Sequence, residues 1–128
     1  MKETLPQRSP VRDLKKRTKD FALRVIKLVE SLPRTQTAKI IGGQLLRSST
    51  SVPANYRASC RARSNAEFRA KLGIVEEETD ESVFWIEMLI DAGLVRSSRV
   101  EELMDEGNQL TAIWVSSINT ARGGKRRR

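Results

Sequence analysis

The chain of 128 residues has the length of one ordinary domain, and its 38% hydrophobic content can fill a single core but not two. Aromatics at 5% and the scarcity of Gly and Pro argue against an all-β domain, which needs a turn every ~8–12 residues. A net charge of +8 favours polyanionic partners, and a lone cysteine, Cys60, excludes an internal disulfide.

Residues 1–10 carry two prolines and no periodicity, and read as a disordered N-terminal arm. They lack the apolar region of a signal peptide. No run approaches the ~20 apolar residues of a membrane span, so a cytoplasmic protein with no membrane partner is expected. From Leu14, apolar residues at 14, 21, 25, 28 and 32, widened by Ala22, Ile26 and Val29, predict a helix over 11–32 that Pro33 ends. Thr35 or Thr37 can cap a second helix, whose inward positions are Ala38, Ile41, Leu45, Ser49, Val52 and Tyr56. Gly42 and Gly43 inside it cost about 1 kcal/mol each against Ala and predict a tight helix–helix approach. Pro53 removes an amide donor and crowds the carbonyl four residues back. A kink, or a break and restart, is therefore expected near residues 50–53, with the hydroxyls of Ser48, Ser49, Thr50 and Ser51 compensating.

Ser64-Asn65-Ala66-Glu67 fits a capping box that opens a third helix. Its seam is Phe68, Leu72, Val75, Thr79, Ser82, Ile86 and Leu89, and Gly93 is a suitable stop. Ser97 or Ser98 caps a fourth helix, with Glu101 and Glu102 near the positive end of its dipole. The inward positions there are Val100, Leu103, Gly107, Leu110, Trp114 and Ile118, and Gly123-Gly124 closes it. Four helices with short connections predict an all-α, up-down-up-down four-helix bundle over residues 11–122, followed by a basic tail over 123–128.

The charge is unevenly placed. Residues 1–63 hold 15 Lys and Arg against 4 Asp and Glu, whereas residues 64–128 hold 9 against 12. Arg57 and Arg61, four apart, point the same way on a helix; Arg63 can swing towards them, and Arg47 beyond the expected bend would complete a basic ridge. Guanidinium groups suit phosphate because the fork meets two oxygens. Lys15 and Lys16, with Arg12, Arg17 and Lys19, repeat the theme on the first helix, and Lys125, Arg126, Arg127 and Arg128 repeat it in the tail. Tyr56 is the only aromatic beside the arginines that could stack on a base. The rival reading is a solvated face in which Arg63 pairs with Glu67 and Arg57 with an acid of the third helix.

Nothing converges on catalysis. Di-iron bundles use Glu-x-x-His on two helices, and this chain has no histidine. Cys60 has no histidine partner to activate it. No catalytic residue, metal or cofactor is expected. The acidic run Glu76, Glu77, Glu78, Asp80 and Glu81 is expected to face the basic half of a neighbouring protomer. Phe84, Trp85 and Met88 lie off the third seam, either widening the core face or forming an oligomer interface.

Residues 48–89, SSTSVPANYRASCRARSNAEFRAKLGIVEEETDESVFWIEML, carry a resemblance. Through Ser51-Val52-Pro53-Ala54-Asn55 and Arg61-Ala62-Arg63-Ser64 with Glu67-Phe68, the chain resembles the bacterial four-helix-bundle family of the ribosomal RNA intervening-sequence protein. The accessory variability-determinant proteins of diversity-generating retroelements form a related branch. The resemblance implies a homopentameric ring that binds nucleic acid, DNA or RNA, through a basic surface. In the retroelement branch it also implies an accessory role to a reverse transcriptase. Where the ribosomal branch tends to read Ala-Asn-Ile-Ala-Glu-Gly, this chain reads Ala54-Asn55-Tyr56-Arg57-Ala58-Ser59, which makes the segment more basic. The expected function is therefore non-enzymatic, backbone-driven nucleic-acid binding with weak sequence preference. The alternative is a protein-interaction scaffold with incidental nucleic-acid affinity.

Overall fold

Proline suits the first position of a helix, where its missing amide has no intrahelical partner, and Pro10 opens α1 (Pro10–Glu30). This computed structural model describes residues 10–123, which form three further helices, α2 (Gln36–Ser59), α3 (Asn65–Asp91) and α4 (Ser97–Ala121). No strand occurs among the described residues, and no helix there is long and apolar enough to cross a membrane.

The helix ends follow local chemistry. Thr35, not Thr37, caps α2, its hydroxyl accepting from the Ala38 amide at 3.1 Å. Ser64 accepts from the Glu67 amide at 3.0 Å, and the Glu67 carboxylate reaches back to the Arg63 amide at 2.7 Å. The expected capping box thus forms, displaced by one residue in its return bond. Gly93 ends α3 with φ +75°, a conformation costly for other residues, and lets the Leu94 amide reach the Leu89 carbonyl at 2.9 Å. At α4 the expected serine cap is absent: Arg96 holds the cap position and makes no side-chain cap bond.

Pro53 does not break α2, which runs through it. The nearby hydroxyls turn back by three or four residues. Ser48 bonds the Leu45 carbonyl at 3.3 Å, and Thr50 bonds that of Leu46 at 2.7 Å. Asn55 adds a clasp across the proline, donating to the Ser51 carbonyl at 2.9 Å and the Ser51 hydroxyl at 2.7 Å. Packing of Val52 and Tyr56 against the core holds the helix on both sides of the proline.

Short connections at 31–35, 60–64 and 92–96 make successive helices antiparallel neighbours, and α4 returns beside α1. The predicted seams face inward: Phe21, Leu45, Leu72, Ile86, Leu89, Leu110 and Trp114 are fully buried. Two close approaches rest on glycine. A methyl group at Gly107 would lie 2.7 Å from Val83 Cγ2, and one at Gly42 would lie 3.1 Å from Val29 Cγ1. Gly43 meets nothing within 4 Å, so only Gly42 of that pair serves helix contact. Polar residues bridge the centre. The Ser48 and Ser82 hydroxyls are bonded at 2.9 Å between α2 and α3, and the Trp114 indole donates to Thr79 at 2.9 Å between α4 and α3.

Candidate nucleic-acid interface

Helical phase decides which cations are free. Each α-helical residue turns the side chain by about 100°, so Arg47 and Arg57 leave α2 on different flanks of its buried seam. The uninterrupted helix therefore does not assemble the expected ridge. Arg47 faces α3, where its guanidinium bonds Glu78 at 3.2 Å and also Glu81. These hydrogen bonds raise the Arg47 pKa above its already high ordinary value. Glu81 is held lower than usual, first by the Trp85 indole N–H, which donates at 3.1 Å, and then by Arg47. Arg47 is thus not an unpaired cation, and Glu78 and Glu81 are engaged within their own chain rather than held for a neighbour.

Arg63 is also local. Its side chain is 89% exposed and lies 3.8 Å from Glu67, beside the start of α3. Arg61 is exposed just beyond α2. Arg17 turns towards α4, where Glu106 takes two bonds at 2.8 and 2.9 Å; the hydrogen bonding outweighs partial burial and raises the Arg17 pKa. Tyr56 is unsuited to base stacking because it is buried in the core, its ring 5.1 Å from that of Trp114. Burial, with Cys60 adjoining, pushes the Tyr56 hydroxyl pKa well up.

What the fold does bring together is a groove between α1 and α2. It has a volume of about 530 Å³ and is lined by Lys15, Lys16, Lys19, Asp20, Leu23, Pro53 and Arg57. Its size falls within the ~300–1,000 Å³ range of ordinary ligand sites. Asp20 is the sole carboxylate of the lining, and Lys16 already bonds it at 2.7 Å. Lys15, Lys19 and Arg57 have no carboxylate partner among the described residues. Lys15, Lys16 and Arg57 were thus legible beforehand. Leu23, 56% exposed, was not, although the spacing of residues 15, 19 and 23 places it on the same stripe of α1. Lys125, Arg126, Arg127 and Arg128 lie outside the described residues.

Of the apolar candidates on α3, Phe84 is 48% exposed and packs edge-on against Trp85, with ring centroids 4.9 Å apart. Trp85 and Met88 are partly buried against the chain's own core, widening the inward face of α3. No group of three or more His, Cys, Asp or Glu residues suited to a metal occurs among the described residues.

Four helices, a hydroxyl-bridged core and a groove lined by basic residues on one flank define a small helical-bundle protein. The model of the 23S rRNA-intervening sequence protein family matches residues 12–116, and the chain belongs to that family. A crystal structure of a protein of unknown function, from the S23 ribosomal protein family of Bacteroides thetaiotaomicron, is similar at 29% identity and a TM-score of 0.79. The match covers 85% of this chain and 97% of that one. No curated protein matches the sequence.

Proposed function

We propose that the chain binds nucleic acid without catalysing a reaction, gripping the phosphate backbone at the α1–α2 groove with weak sequence preference. The observation that carries this reading is the convergence of Lys15, Lys16, Lys19 and Arg57 on a groove whose single carboxylate is already engaged. Membership of a family described by ribosomal RNA intervening sequences supports the same direction. Arg61, Arg63 and, in the sequence, Lys125, Arg126, Arg127 and Arg128 add to the chain's positive charge and so to its attraction for a polyanion.

The assembly belongs to this proposal too. A homopentameric ring in the cytoplasm, with exposed Phe84 as an apolar contact between subunits, would multiply the groove by copy number. Sedimentation of the purified protein tests it, and a monomer would overturn it. The same exposed ring supports a second reading, a scaffold for a protein partner such as a reverse transcriptase. A pull-down that keeps its partner after nuclease treatment would favour that reading.

Nucleic-acid binding itself is tested with labelled RNA and DNA oligonucleotides by fluorescence anisotropy. Affinity is expected to fall steeply between about 50 and about 200 mM salt, with a slope that counts the phosphates contacted. No binding at low salt, or binding indifferent to salt, would defeat the proposal.

A further inference from the structure

The lining of the α1–α2 groove is not what a purely ionic site needs. Beside its cations the lining holds Leu23, more than half exposed, and Pro53, a proline inside an otherwise regular helix. An exposed leucine contributes nothing to a phosphate, and a helix-interior proline carries a stability penalty. Residues that break a local rule gather where a chain meets its ligand. Here both apolar groups line the same concave surface as the ammonium and guanidinium groups.

We infer that the groove takes an unpaired stretch of nucleic acid, with a base lying on Leu23 and Pro53 and the flanking phosphates held by Lys15, Lys19 and Arg57. This rests on the nucleic-acid reading above and narrows it. A duplex keeps its base faces stacked inside and offers the groove only sugar and phosphate. A single strand can turn a base outward onto an apolar surface while its backbone stays with the cations. Charge alone would not create this preference, since the duplex is the denser polyanion. Preference for the strand is therefore the mark of the apolar lining.

The test uses the full chain and three fluorescent probes of equal length: a mixed-sequence single strand, its duplex, and an abasic strand with the same phosphates and no bases. At matched salt the single strand is expected to bind at least about fivefold more tightly than the abasic strand or the duplex. Leu23→Ser, which changes no charge at an exposed position, is expected to erase that advantage and leave duplex and abasic binding unchanged. Equal affinity for all three probes, unaltered by Leu23→Ser, overturns this inference and leaves backbone binding standing. Absence of binding to every probe at low salt overturns both. If the groove instead receives an acidic segment of a second copy, Leu23→Ser will shift the sedimentation coefficient without changing strand affinity, which also overturns the inference.

Discussion

Arg47 and Arg57 belong to one helix and meet opposite surroundings. The middle of α2 looks across to α3, where Glu78 and Glu81 receive the Arg47 guanidinium. The later turns of α2 border α1, whose side of the groove carries Lys15, Lys16 and Lys19. The same side chain is therefore internal glue in one region and an open cation in the other. Helical phase and the sequence of the neighbouring helix decide between the two, and a count of charges along the chain cannot.

The comparison breaks if the two regions answer alike to mutation. Lys15→Glu, Lys19→Glu and Arg57→Glu together are expected to weaken oligonucleotide binding about 100-fold at low salt and to flatten the salt slope by two to three, roughly one for each lost phosphate contact. Anisotropy titrations check this, and an unchanged far-ultraviolet circular dichroism spectrum shows that the fold survives. The core between the regions is expected to respond in stability alone. Thr79→Val keeps the shape but leaves the buried Trp114 indole without an acceptor, at a cost of about 1–3 kcal/mol in chemical denaturation and with unchanged binding.

Pro53→Ala sharpens the contrast because its two effects have opposite sign. Stability is expected to rise by about 2 kcal/mol, the ~3 kcal/mol helix penalty less the ~1 kcal/mol of unfolded-chain freedom that proline removes. Single-strand affinity is expected to fall. The smallest effect belongs to Arg47→Ala, with a slight drop in melting temperature, reduced by salt, and no change in the salt slope of binding. The pH dependence follows from Glu81, whose folded pKa is lowered by Trp85 and Arg47. A lowered carboxyl pKa stabilises the fold above the ordinary value of about 4.3, and that contribution fades as pH falls through the lowered value. The melting gap between Arg47→Ala and the parent is therefore expected at neutral pH and to close in acid.

Much of this architecture was legible from spacing. Leu45, Leu72, Leu110 and Trp114 fall on seams that alternate threes and fours, and all are fully buried. Ser64 and Gly93 mark the ends of α3 through local bonds that need no tertiary partner. What escaped was set by neighbours distant in sequence. Pro53 carries every local sign of a break, yet contacts of Val52 and Tyr56 with the core keep α2 continuous. Tyr56 lay on the predicted seam and beside the arginines at once, and burial won. The Arg47 partners lie on another helix, so local charge gave no warning of them. Leu23 lies off the apolar stripe read for α1, and it is the placement of α2 that makes it part of a groove.

The hydroxyl bridge from Ser48 to Ser82 and the indole bond from Trp114 to Thr79 both anchor near the middle of α3. Together they work as a ratchet tooth: sliding α2 or α4 along α3 by one turn, about 5.4 Å, would strand polar groups where no water can reach them. The height of α2 is thereby locked from its far side, so Arg57 keeps its level opposite Lys15 and Lys19 without needing to touch either.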